Sequence, residues 1–193
     1  MTVQTQYGGI SKAVEKTISI LYFCETSSYS GATKTSVETN DSSLADIEGL
    51  TPAGAIHVDG LTIAENAEEG ESYPDWSGNI FDFSEGSSSP TINFKLLEVL
   101  NANTAKLVFK NVTASVGGEG DELESINGFD NPTDKTLVID TRIKNKVMRI
   151  VLPSNTFQSR GDIALLNDDL TSFEVTYGVV GSPSILVRDL SVE

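Results

Sequence analysis

The stretch Pro90-Thr-Ile-Asn-Phe-Lys-Leu-Leu-Glu-Val-Leu-Asn-Ala-Asn-Thr-Ala-Lys-Leu-Val-Phe109 changes period halfway along. Over its first half apolar and polar residues alternate, with Ile92, Phe94 and Leu96 on one side, which is the signature of a half-buried strand. From Leu97 to Phe109 the period is ambiguous, because Glu98, Asn101 and Asn103 interrupt the apolar positions. A short helix is expected from about Asn101.

Working outward, the same strand signature recurs in short runs. Thr17–Phe23, Asn79–Phe83, Lys106–Val112, Thr136–Asp140, Lys146–Leu152, Ser172–Tyr177 and Ile185–Val192 are read as further strands. Gly117-Gly118, Asn127-Gly128, Asn131-Pro132 and Gly181-Ser182-Pro183 mark turns between them. Regularly spaced short strands predict a mainly β chain folded as a sandwich or barrel. A second short helix is expected near Gly161–Asp168, after a break at Pro153. Residues 1–193 form one domain on this reading, with 1–16 as an N-terminal arm. Glu38–His57 has little strand pattern and is expected to form a long loop or extended arm.

Charge is unevenly placed. The 193 residues carry 28 acids and 13 Lys or Arg, a formal net charge of -15. From Thr35 through Phe94 there is no Lys or Arg, and those 60 residues hold 12 acids. Lys135–Arg149 holds five basic residues and one acid, Asp140. In that run Arg142, Lys144 and Lys146 share one parity and would face one side of a regular strand, unless Asn145 sits in a tight turn. An acidic segment and a basic hairpin on one chain suit head-to-tail self-association, although charge runs are also commonplace solvated faces. So acidic a chain repels phosphate polyanions, which argues against binding nucleic acid or an anionic membrane.

The inventory for chemistry is thin. There is one histidine, His57, and one cysteine, Cys24. One of each supplies no zinc ligand set, and Cys24, following an apolar run without a basic neighbour, reads as a buried structural thiol. No nucleophile elbow or phosphate-binding loop occurs. Asn167-Asp168-Asp169 and Gly118–Glu124 hold oxygen ligands but lack the spacing of a helix–loop–helix calcium loop. Aromatics are 7% with one Trp, which is sparse for a sugar cleft. The start lacks a basic region followed by an apolar run, so no signal peptide is expected. No catalytic residue, cofactor or metal is expected, and the chain is read as a non-enzyme.

Two stretches resemble the major tail proteins of long-tailed bacteriophages, the tail-tube subunits. The first runs from Asp59 to Val112, with a lone tryptophan in DWSGNIFDF followed by SSPTINFKLLEVLNANTAKLVF. Thr91, Ile92, Phe94, Leu96, Leu97 and Glu98 fill that family's strand pattern, and Asn101, Ala105 and Phe109 its helix pattern. The second is MRIVLPSNTFQSRGDIALLNDDLTSFEVTYGVV. Lys110 stands where the family often has Gly, and Asp82 where it often has Arg.

The resemblance implies two packed β-sheets, as a sandwich or half-barrel, with one short flanking helix, six subunits per ring, sheets of neighbours joined into an inner barrel, and rings stacked through a long loop, Glu38–His57 here, and the N-terminal arm. It implies a virion protein made in the host cytoplasm, with the tape-measure, terminator and initiator or baseplate proteins as partners. Double-stranded DNA passes through such a tube without being bound, and no membrane is involved. Glu65, Glu68, Glu69 and Glu71 are candidate lumen acids, and Arg142, Lys144, Lys146 and Arg149 candidate inter-subunit cations. Trp76 is either core or a contact, with core favoured. A bacterial surface or pilus-like subunit and a carbohydrate-binding sandwich remain as alternatives.

Overall fold

The computed structural model describes residues 18–39, 42–115, 122–163 and 171–190, except for the side chains of Ile18, Ser19, Val58 and Phe83. The expected N-terminal arm, the helix near Gly161–Asp168 over its length beyond residue 163, and the Asn167–Asp169 cluster lie outside those residues. So do residues 118–121 of the Gly118–Glu124 cluster.

The chain is mainly β, as its periodicity predicts. In order, the elements are β1 (Ile18–Glu25), α1 (Gly31–Thr39), a 3-10 turn at Leu44–Asp46, β2 (Thr51–Pro52), β3 (Ile56–Ala64), β4 (Ser72–Pro74), β5 (Ile80–Phe83) and β6 (Thr91–Leu96). α2 (Ala102–Lys106), β7 (Val112–Ser115), β8 (Glu122–Ile126), β9 (Lys135–Ile143), β10 (Lys146–Arg160), β11 (Phe173–Val179) and β12 (Ser184–Asp189) follow. One eight-stranded antiparallel sheet runs β2-β1-β9-β10-β11-β6-β3, with β12 also paired to β10. It curls on itself as a half-barrel, and β4–β5 and β7–β8 are separate small ribbons.

β10 makes the curl. Its first part pairs with β9 and β12, and its last part with β11. Pro153 therefore does not end the strand. It sits inside β10, where the ladder to β9 shifts register between Leu152 and Asn155, a bulge that tolerates a residue without an N–H. Side chains take over the missing ladder bonds. Thr136 Oγ1 donates to the Pro153 carbonyl at 2.7 Å, and Asn155 Nδ2 donates to the Lys135 and Leu152 carbonyls at 2.8 Å each.

The concave face buries Leu21, Phe23, Leu137, Ile139 and Leu152 from one half against Ile92, Phe94, Leu96, Val175 and Tyr177 from the other. α2 closes this core. Asn101 caps it, its side chain accepting from Asn103 N at 2.8 Å, so the expected helix starts where predicted. The run after it departs from expectation: Leu107, Val108 and Phe109 finish the helical turn and are buried, and the strand begins only at Val112. Their carbonyls are claimed by side chains rather than a ladder. Tyr177 Oη donates to the Leu107 carbonyl at 2.6 Å, and the Arg160 guanidinium, stacked 4.2 Å above the Phe109 ring, donates to that of Val108.

A second core lies on the outer face of β1, β9 and β10, where Val37, Leu44 and Ile47 cover Tyr22, Val138 and Val151. Thus Glu38–His57, expected as a long loop or extended arm, is packed onto the sheet over its described residues, with Leu44, Ile47 and Ala53 buried. Its short apolar residues are too dispersed to show a period, yet they cover a sheet face that otherwise meets water. Arg149 ties this layer down. Its guanidinium is fully buried, contacts Asp140 through Nε at 2.7 Å and Nη2 at 2.8 Å, and donates from Nη1 to the Val37 carbonyl and from Nη2 to that of Ser42. Arg149 is therefore an internal strut and not the inter-subunit cation the sequence suggested. Its register opposite Asp140 put the two charges on one face, and α1 then sealed them.

Removing one member of such a pair strands a buried charge. Arg149→Met is expected to cost about 3–5 kcal/mol in urea unfolding, with Arg149→Met/Asp140→Leu recovering much of it.

At the other end of β1, the carboxylate of Glu25 meets the buried ammonium of Lys135 and the Thr133 hydroxyl. Burial pushes the Glu25 pKa up, but the hydrogen bonds from Lys135 and Thr133 outweigh it and hold the carboxyl below its ordinary 4.5. A depressed native pKa contributes stability above the unfolded value and loses it as pH falls through the native one. The stability gap between the wild type and Lys135→Met should therefore narrow as the pH is taken below 4.5, read by chemical unfolding at each pH.

Candidate assembly surfaces

Between Ala64 and Thr91 the chain leaves the sheet as a two-stranded arm. The pairing continues from Ala67 opposite Ser88, through Glu68 N to the Ser87 carbonyl at 2.8 Å and Ser84 N to that of Glu71 at 2.8 Å, into β4–β5. Asn66 fastens the root, donating from Nδ2 to the Ser89 carbonyl and to Thr91 Oγ1, each at 3.0 Å. Gly70 and Gly86 face each other across the ribbon. A Cβ on either would collide with a backbone carbonyl, that of Ser84 or of Glu68, so these positions admit glycine alone. At the tip, Asp75 Oδ1 accepts from Ser77 N at 2.8 Å and Asn79 N at 2.9 Å, bonds that lower its pKa.

This arm carries apolar groups with no cover. Trp76 is 100% exposed, Phe81 86%, Ile80 58% and Tyr73 52%. Trp76 is thus not core, as the sequence favoured. The regular alternation of NIFDF predicts an ordinary strand. A signal against burial in the sheet was its setting between acid, serine and glycine. Glu65, Glu68, Glu69 and Glu71 all stand on the arm, exposed, and none on the sheet. Residues 65–89 hold seven acids and no Lys or Arg.

The basic residues gather at the β9–β10 turn. Lys144, with φ of 54°, and Asn145 form it, and Ile143 pairs with Lys146. The turn breaks the common parity: Arg142 lies opposite buried Val147, its Nε donating to the Lys144 carbonyl at 3.3 Å, while Lys146 takes the other face with Met148. Lys144 and Lys146 are exposed.

One more surface is distinctive. The convex face of β6 and β11 presents Thr91, Asn93, Lys95, Glu174 and Thr176, with Lys95 opposite Glu174. Asn93 Nδ2 donates to Thr176 Oγ1 at 3.2 Å, so this face is a hydroxyl and amide carpet whose two charges oppose. β2 and β3 end the sheet, and β12 pairs on one side only, leaving open edges among the described residues.

His57 is largely covered, and its Nδ1 lies 2.9 Å from Asp59 Oδ2, two residues on in β3. Cys24 is buried, and burial pushes its thiol up, away from nucleophilic use. Among the described residues no group of three or more His, Cys, Asp or Glu is placed to hold a metal, and no helix is long and apolar enough to cross a membrane.

No family model and no curated protein matches the chain. Among solved structures it is similar to a chain in the tail of an empty GTA particle computed with helical refinement in C6 symmetry, at 13% identity and a TM-score of 0.39, over 75% of this chain and 92% of that one. Neither the identity nor the TM-score is high enough to transfer a role.

Trp76 is the single tryptophan. Emission of the isolated subunit should be water-like and fully open to acrylamide quenching. A blue-shifted, protected signal in the monomer would contradict an uncovered tip.

Proposed function

We propose that this chain is a structural subunit of a phage tail tube, that it has no enzymatic activity, and that it works by assembling with copies of itself. The observation that carries the reading is the arm: a two-stranded ribbon is at best marginal alone, and this one ends in aromatic side chains that nothing among the described residues covers. The open edges of β3 and β12 add strand-pairing surfaces that closed rings would remove. The patterns around Phe94 and Asn101 that resemble tail-tube subunits support six-fold rings stacked into a hollow tube, in a virion.

The stacking element in this proposal is the 65–89 arm and not Glu38–His57, since the latter is committed to the second core. The wall along which double-stranded DNA passes would suit the convex β6–β11 face, which offers little net charge for phosphates to bind, while the overall charge of -15 repels them. The tape-measure, terminator and initiator proteins would be its partners at assembly.

The exposed Trp76, Tyr73 and Phe81 also fit a carbohydrate platform, the second reading. Negative-stain microscopy of concentrated protein separates them. Rings or tubes with a central channel are expected, and replacing residues 66–88 by a short turn should abolish stacking while leaving the unfolding transition intact. A subunit that stays monomeric with initiator present, or that binds glycans as a monomer, would overturn the tube reading.

A further inference from the structure

The concave face of the sheet is covered only in part. Beyond Ile139 and Ile150, which are packed against the main core, the face continues toward the β9–β10 turn through Ile143, Met148, Ile185 and Val187. These share one side of the sheet by register, since Ile185 lies opposite Ile150, Val187 opposite Met148, and Ile143 opposite Lys146. Ile185 is 63% exposed, Val187 61% and Ile143 46%. A soluble antiparallel sheet ordinarily puts polar residues where it meets water. Here the core-facing alternation simply runs on past the end of the core. The strip ends at exposed Lys144 and Lys146.

We infer that this strip is the seat for the arm tip of a second copy of the chain; the inference rests on the tube reading and names the receiving surface. Both sides are apolar at the centre: Trp76, Phe81 and Ile80 on the arm, Ile143, Ile185 and Val187 on the seat. At the rims the arm carries seven acids without a base, and the seat ends in Lys144 and Lys146, with Asp189 opposite Lys146, so the seat's net charge there is positive. An aromatic anchor set in an apolar pocket inside a polar rim is the usual anatomy of a stable contact. The arm tip and the strip are different patches of one molecule, so the contact is heterologous and propagates. Occupation within one chain is disfavoured by the full exposure of Trp76.

Two singly substituted proteins, Trp76→Cys and Val187→Cys, test this when mixed under oxidising conditions. A disulfide between them can form only between copies, and the native Cys24 is buried. The expected result is a cross-linked dimer in assembled material, and none when Thr62→Cys on the convex face replaces Val187→Cys. Independently, Ile185→Glu/Val187→Glu should raise the concentration needed for assembly at least tenfold with an unchanged monomer unfolding midpoint. Lys144→Glu/Lys146→Glu should do likewise and be restored by Glu71→Lys/Glu85→Lys in the arm. Tubes of the mixed cysteine variants that give no link between positions 76 and 187, together with tubes that form equally well from the glutamate variant, would overturn the seat while leaving the tube reading intact. A link that forms within a single dilute chain carrying both cysteines would overturn it too. A wild-type chain that never assembles would remove both.

Discussion

Everything in this fold hangs on one strand serving two halves of a curled sheet. β10 pairs with β12 before Pro153, with β11 after it, and with β9 on both sides of the bulge as far as Asn155. A strand can turn such a corner only if the backbone groups released at the bend find partners, since unpaired polar groups in a core cost a free energy comparable to a lost hydrogen bond. Asn155 and Thr136 supply them from buried positions. With the corner fixed, β1 and β9 face β6 and β11 across one core, and α2 fills its open side.

From that arrangement two layers of different chemistry follow. The inner one is apolar and continuous, and it outruns its own cover at Ile185 and Val187. The outer one is divided. Over β1, β9 and β10 it is sealed by α1 and the Leu44 turn, held through Arg149, whereas over β6 and β11 it stays open and polar. The arm leaves from the open half, at the junction of β3 and β6. A chain built in this way is complete as a folded unit and incomplete as a surface, the property on which the proposed assembly rests.

The sequence by itself determined the class of fold and most of the strands, because a period of two survives in any half-buried sheet. Ile92, Phe94 and Leu96 point inward as their alternation required, and Asn101 caps the helix as its chemistry required. The two sites of unbalanced charge were legible too, since a run of 60 residues without a base needs no structure to be seen.

Only the tertiary structure decided which of those residues were inside. Arg149 and Lys144 lie in one basic run, yet register set the first against Asp140 under α1 and left the second on a turn. Phe81 and Phe94 are both aromatics in regular strands; one is exposed and the other buried, because β6 has partners on both sides and β5 has only β4. Leu107–Phe109 became the end of a helix once Tyr177 and Arg160, 70 and 52 residues away from the carbonyls they bond, claimed them. Periodicity reports which face of an element is apolar. What covers that face, if anything, is set by contacts distant in sequence, and no local pattern encodes them.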